Sequence, residues 1–493
     1  MDTRTQANSH ARCTHQAPPF RSRREFIERL GCGFGAFALN AVLAESLGAA
    51  PAADPLTPKV AHMPHKAKSV IYLFMHGGAS HIDTFDPKPE LLKLNGKTVP
   101  PSFAGLQLQF TKTDEAPLLA STFPFKRYGQ SGIEVSSLFP NVAAHADDLA
   151  VVRSCHHEAF IHSTALHLVN TGSLRIGFPS LGSWILYGLG SESRNLPSYV
   201  VMDSGPIKAG TGVYGSGFLP AVYQGTTLRS KGSPLLNLKP PEAIDQGRVL
   251  DALSWFNENH RETRRDNSEL SARIAAYELA FRMQTEAPGV TDLSRESPAA
   301  REMYGLNDDN TRAFGAKCLL ARRLVEQGVR FIQIYSGTND GFDDWDGHSN
   351  NDRTHTRMAG RVDKPIAALL ADLKQRGMLD ETLVVWGGDF GRTPVTNGSL
   401  ATRAVYETGR DHNPYGYTMW FAGGGVKGGQ VIGATDELGF KAIQDPVHVH
   451  DINATILALL GLDHRKLTYH FQGRDFRVTD VHGDHEFSKK LTG

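Results

Sequence analysis

Largely apolar runs of strand length recur along the chain, and between them apolar positions fall at helical spacing. The runs are Ser69 to Met75 (SVIYLFM), Leu149 to Arg153, Leu196 to Met202, Val329 to Tyr335, Leu383 to Trp386 and Tyr417 to Ala422. Runs without polar alternation predict strands covered on both faces. Helical spacing predicts helices over Val135 to His145, Glu158 to Thr171, Pro241 to Glu286, Phe314 to Gly328, Val362 to Gly377 and Val449 to Leu460. The stretch from Leu91 to Tyr128 has no period and reads as irregular, and Ser204 to Tyr223 reads as a Gly-rich loop. Strands alternating with helices predict an α/β fold, a mostly parallel sheet with helices on both faces and a loop and helical insertion at about 204–300. No internal repeat is visible.

In such a sheet ligands bind beyond the carboxyl ends of the strands, so the loops after them hold the candidate chemistry. LVVWGGDFGRTP (Leu383 to Pro394) delivers Asp389 and Arg392 at the end of an apolar run. The loop Gly341 to Asn350 offers Asp343, Asp344, Asp346 and His348, and the loop Gly409 to Pro414 offers Arg410, Asp411 and His412. Carboxylates and imidazoles from one sheet edge suit zinc, manganese or iron better than calcium. Each has a plainer reading too: a solvated acidic turn, a helix cap or Arg392 partner for Asp389, a turn histidine for His412. Arg392 and Arg410 would take an anion bidentately or merely anchor the carboxylates. After the first run, His76, two glycines and Asp83 form a possible additional site, which a tight turn explains equally well.

Composition narrows the partners. The 493 residues hold 52 basic and 52 acidic side chains, so no net field favours nucleic acid or an anionic membrane. Four cysteines (Cys13, Cys32, Cys155, Cys318) without a CxxC pair argue against a thiolate zinc site, and pairing of Cys155 with Cys318 is left open. Ser22-Arg23-Arg24-Glu25-Phe26-Ile27, the weakly apolar Leu30 to Leu43 and an A-x-A site at Ala50 and Ala52 predict a twin-arginine signal peptide over 1–52. A Pro- and Ala-rich linker (53–68), the α/β domain (69–473) and a C-terminal tail (474–493) follow. The mature chain is expected in the periplasm or outside the cell, without a transmembrane segment, after meeting the twin-arginine export machinery.

HGGASHIDTFDPKPE, the helix closing on Thr171-Gly172, ARRLVEQGVRFIQIY, WDGHSN, GGDFGRTP and GRDHNPYGY together resemble an uncharacterised exported bacterial family, domain of unknown function 1501. That family is similar in fold to the alkaline phosphatase and sulfatase superfamily. The resemblance implies a metal-dependent hydrolase of phosphate, sulfate or related esters, of small molecules or glycans, holding one or two divalent ions, zinc or manganese. It implies Asp346, His348, Asp389 and His412 as metal ligands and places His162 at the nucleophile position beside Ser163, with Arg392 and Arg410 as charge-neutralising groups. Gly77 stands where the superfamily has an Asp, Phe390 where it has a His, and the formylglycine sulfatase signature is absent. These departures keep a non-catalytic relative that binds a glycan or an exported partner as the alternative.

Overall fold

The computed structural model describes residues 55–493 apart from 104–107, 109–115, 194, 230–251, 253–254, 257–277, 280–281, 284–286, 338–343, 398–407 and 484–485. The expected signal peptide and nearly all of the helical segment at 241–286 lie outside the described residues.

A nine-stranded sheet organises the rest. Its strands in chain order are β1 (Ser69–Met75), β2 (Leu149–His156), β3 (Tyr199–Met202), β4 (Thr226–Leu228), β5 (Phe331–Ser336), β6 (Thr382–Gly388), β9 (Tyr417–Ala422), β10 (Gln430–Ile432) and β11 (Val447–His448); β7 (Gly391–Thr396) and β8 (Arg410–Asn413) form a separate ribbon. The order across the sheet is β10-β2-β9-β6-β1-β5-β3-β4, with β11 beside β2. All neighbours pair in parallel except β9, which opposes β2 and β6. The mostly parallel sheet expected from the apolar runs is what the chain forms.

Both faces are covered. Ile71, Leu73 and Met75 of β1 join one core with helices α3 (Arg312–Glu326) and α4 (Asn351–Gln375). Val70, Tyr72 and Phe74 join the other with α1 (His162–Thr171), α2 (Leu181–Leu189), α5 (Val449–Leu459) and α6 (Glu486–Thr492). Alternate side chains of a strand point to opposite faces, so an unbroken apolar strand feeds two cores at once. Cys155 and Cys318 are free, buried, and belong to opposite cores. Among the described residues no helix is long and apolar enough to cross a membrane.

Three expectations are corrected. The helix expected over Val135 to His145 is a strand, Ile133–Ser136, hairpinned with Phe125–Tyr128, followed by one turn at Pro140–Ala143; Ile133 and Val135 alternate with Glu134, and Pro140 takes the first helical position, where its missing N–H costs nothing. The strand Phe125–Tyr128 and a short helix, Pro89–Lys93, also give order to the stretch read as irregular. Helix α4 begins at Asn351, well before Val362, because its first turns bury the polar Asn351 and His355.

Candidate metal centre

The carboxyl ends of five parallel strands meet at one edge. β1 hands on His76; β2 leads to His157 and to His162 at the start of α1; β3 leads to Lys208; β5 leads to Asp344, Asp346 and His348; β6 ends one residue before Asp389. The stretches expected as loops at 387–394 and 409–414 are in part strands: β7 and β8 pair antiparallel, His412 opposite Arg392, with a bulge after Arg410. This ribbon is polar and buried, so its strands lack the apolar alternation that would announce them. Ribbon and loops close tightly. At Gly77 (φ +105°) a Cβ would lie 2.7 Å from the Asp346 nitrogen and 2.8 Å from that of Trp345, so only glycine lets the two loops approach.

His162, Asp346, His348 and His412 each present a ligand atom, all within 4.8 Å of one another. Asp346 is the hub: its Oδ2 lies 3.1 Å from His162 Nε2, and its Oδ1 lies 3.3 Å from His348 Nε2 and 3.5 Å from His412 Nε2. His348 and His412 face each other Nε2 to Nε2 at 2.8 Å. The Phe160 carbonyl, 2.7 Å from His412 Nδ1, fixes that ring's proton on Nδ1 and leaves Nε2 as a lone pair. The His162 Nδ1 donates to Asp389 Oδ2, which turns its Nε2 toward Asp346.

The surroundings set the charges. Burial opposes ionisation of Asp346, but the buried Arg392 guanidinium foremost, with the neighbouring His162 and His412 rings, outweighs it and holds the carboxyl far below the usual range. Burial, with Arg392 next, lowers His348 to about 3, and burial brings His412 to about 4 despite Asp346. His162 moves the other way: desolvation is outweighed by Asp389 and Asp346, which raise it. Asp389, fully buried, is kept ionised against desolvation by His162, and its other oxygen accepts the Gly77 N–H at 3.0 Å.

The positions expected from the sequence thus separate. Asp346, His348, His412 and His162 converge, and Asp389 stands behind His162. Arg392, wholly buried, donates to Asp346 Oδ1 at 2.7 Å and to the carbonyls of Gly77, Gly78 and Arg410. Arg410 and Asp83 form another buried network, 2.9 Å apart, with Ser80 and Asn351 also on Asp83. His76 sits beside the centre, its Nε2 accepting the Lys208 N–H at 3.2 Å. Ser163 follows His162 on the first turn of α1. Sequence reasoning missed Lys208, whose Nζ bridges Asp346 at 2.8 Å and Asp344 at 2.9 Å. The one available signal was a lone cation in the otherwise uncharged stretch 204–223. It also missed His157, whose Nε2 holds the Asp389 carbonyl at 2.6 Å.

The family described as a protein of unknown function, DUF1501, matches residues 67–488. The chain belongs to that family. No curated protein matches the DUF1501 chain. Among solved structures it is similar to PsFucS1 sulfatase from Pseudoalteromonas sp., at 14% identity over 81% of this chain and 68% of that one, TM-score 0.34. It is also similar to a magnesium-bound mutant of TAB5 alkaline phosphatase, at 12% identity over 81% and 99%, TM-score 0.33. A third is a phosphonate monoester hydrolase from Silicibacter pomeroyi, at 14% identity over 66% and 68%, TM-score 0.32. Overlays this loose carry no argument for this chain's activity, which has to be read from its own donors.

Proposed function

We propose that the chain is an exported hydrolase of phosphate, sulfate or related esters that uses a divalent ion, zinc or manganese, held by His162, Asp346, His348 and His412. The observation that carries this reading is the convergence of three imidazoles and one carboxylate, with Asp389 behind His162 at the Nδ1 nitrogen. A carboxylate behind an imidazole fixes its tautomer and raises its basicity toward a cation. The donor set, nitrogen-rich with one oxygen and no thiolate, fits a borderline ion. Such an ion, when bound, polarises an ester oxygen and acidifies a coordinated water or hydroxyl.

The chain's own groups supply the rest. Asp389 holds the His162 proton at Nδ1, and the Phe160 carbonyl holds that of His412. Arg392 pins Asp346 from the buried side. Lys208 is raised against burial by Asp346 and Asp344 and remains a cation beside the cluster, where it would steady an anionic ester oxygen. In this reading Arg392 and Arg410 act on protein carboxylates and carbonyls, and Ser163, one residue from His162, is the hydroxyl nearest in sequence to the centre. Export through the twin-arginine signal and the absence of formylglycine chemistry belong to the same proposal.

The alternative, a non-catalytic binder, draws on Phe390, whose ring packs 4.8 Å from His162 and 4.3 Å from His412; only the one donor cluster occurs among the described residues. Metal analysis of the purified mature protein, with phosphate, phosphonate and sulfate ester panels, separates the two. No bound metal and no turnover with any added ion removes the hydrolase.

A further inference from the structure

Each imidazole of the cluster is backed by a group at its Nδ1 nitrogen, and the three backings are of two kinds. Behind His162 stands the Asp389 carboxylate and behind His412 the Phe160 carbonyl, both acceptors that draw the ring proton to Nδ1. Behind His348 stands Asn397, whose Nδ2 lies 3.2 Å from His348 Nδ1 and 3.0 Å from the His348 carbonyl. An amide NH₂ only donates. Its orientation is set by the same contact, because the amide turned over would place its oxygen against that carbonyl, acceptor facing acceptor.

The backbone keeps this pair in place. Asn397 follows directly on β7, and its N–H donates to the Gly409 carbonyl at 2.7 Å. Gly409 in turn lies against the His348 backbone, where a Cβ would run into the carbonyl group, so a side chain at this position would push ribbon and loop apart.

A neutral imidazole carries one ring proton, so a ring whose Nδ1 accepts carries it on Nε2. What faces His348 Nε2 agrees: the His412 Nε2 lone pair at 2.8 Å and Asp346 Oδ1 at 3.3 Å, both acceptors. A chain of donation thus runs from Asn397 through His348 and His412 to the Phe160 carbonyl. His348 is also the most open of the four groups, its side chain 28% exposed against 5–17% for the others. To bind an ion through Nε2 it must first pass that proton through solvent to Nδ1 and break the Asn397 hydrogen bond.

We infer that Asn397 is a positioning residue that makes His348 the exchangeable member of the cluster. His162, Asp346 and His412 hold the ion firmly, and His348 yields the fourth position to a water or ester oxygen, to which its Nε2–H then donates. Three firm protein ligands and one open position are what catalysis at a divalent ion needs. The inference rests on the metal reading for the ion, but not for the placing of the His348 proton.

Long-range proton–nitrogen correlation spectra of the mature protein, labelled at the histidine nitrogens, read the tautomer directly, with His348 identified by the signals missing in His348→Ala. Without metal, wild-type His348 should carry its proton on Nε2. Asn397→Asp, which replaces the donor by an acceptor, should move the proton to Nδ1 and tighten zinc binding about tenfold against a chromophoric chelator. A merely structural Asn397 would leave the tautomer unmoved. His348→Ala should weaken zinc binding less than His412→Ala does. A His348 proton on Nδ1 in wild type, zinc binding unchanged or weakened in Asn397→Asp, or a loss in His348→Ala as large as in His412→Ala overturns the inference. Should Asn397→Asp fail to fold, the wild-type spectrum and the two alanine variants decide. If wild type binds no zinc, the hydrolase reading falls and the spectrum alone decides the role of Asn397.

Discussion

Replacing Asp389 with Asn distinguishes a group that holds the metal from one that holds a metal ligand. Asp389 contributes no atom to the converging set; it reaches that set through the His162 Nδ1 proton, and it also receives the Gly77 N–H at 3.0 Å. An amide keeps the oxygen that Gly77 needs, so the fold around it should survive. If its NH₂ turns to His162, however, it asks Nδ1 to accept, which moves the imidazole proton to Nε2 and removes the lone pair facing Asp346. Loss of an outer-shell partner of this kind typically costs about 10–100-fold in metal affinity, equivalent to about 1.4–2.7 kcal/mol. Asp346→Asn should cost more than that range, because it deletes the one carboxylate among the donors and deprives buried Arg392 of its anionic partner. Competition of each variant for zinc and manganese against a chromophoric chelator, with elemental analysis of the purified proteins, gives the two affinities. Metal loss in Asp389→Asn as complete as in Asp346→Asn would show that Asp389 is itself a ligand, and unchanged affinity would show that it does not govern His162; either result refutes the reasoning.

Three further outcomes follow from the same geometry. Gly77→Ala should lower stability by about 1–3 kcal/mol in urea melts and reduce metal content, since its Cβ meets the Asp346 and Trp345 nitrogens; an unchanged melt would mean that these loops yield. Asp83→Asn leaves Arg410 buried without its 2.9 Å counter-ion, so roughly 3–5 kcal/mol of stability should be lost, against a small effect if the pair is screened. Lys317, buried and lowered to about 8 from 10.5 by desolvation, binds its proton less well folded than unfolded. Between pH 8 and 10.5 the unfolded chain therefore holds more protons, and wild-type stability relative to Lys317→Met should rise with pH by roughly 3 kcal/mol, whereas a flat difference would place the lysine in contact with water.

How much of this was legible in the sequence depends on what each segment buries. Ser69 to Met75 and Leu383 to Trp386 announce themselves because a strand covered on both faces must be apolar at every position, and they turn out as neighbours in register, Val70 opposite Leu383. The sheet edge then follows from strand direction alone, which is why loops far apart in the chain can be read as bringing Asp346, His348 and His412 together. The ribbon of β7 and β8 hid itself for the opposite reason. It is as buried as the core, yet Arg392, Asp411, His412 and Asn413 are solvated by one another and by backbone carbonyls in place of water, so hydrophobic periodicity has nothing to register. The early turns of α4 were hidden likewise: Asn351 donates to Asp83 at 3.0 Å, and the Ser80 N–H donates to His355 Nε2 at 2.9 Å.

Which side chain reaches the cluster directly is harder to read than which loops approach it, and the reason is geometric. Asp389 and Asp346 are both aspartates just beyond a strand or in a Gly-bearing loop, and spacing cannot say which side chain reaches the centre directly. That is decided by Gly77, whose missing Cβ lets the Trp345-Asp346 backbone press against the end of β1 and so carries the Asp346 carboxylate forward, while the same glycine's N–H draws the Asp389 carboxylate back. One residue without a side chain thereby sorts two identical side chains into different places. The sequence-level departure at Gly77, a glycine where an aspartate was expected, is thus the structural condition for the four-donor cluster that this chain does have.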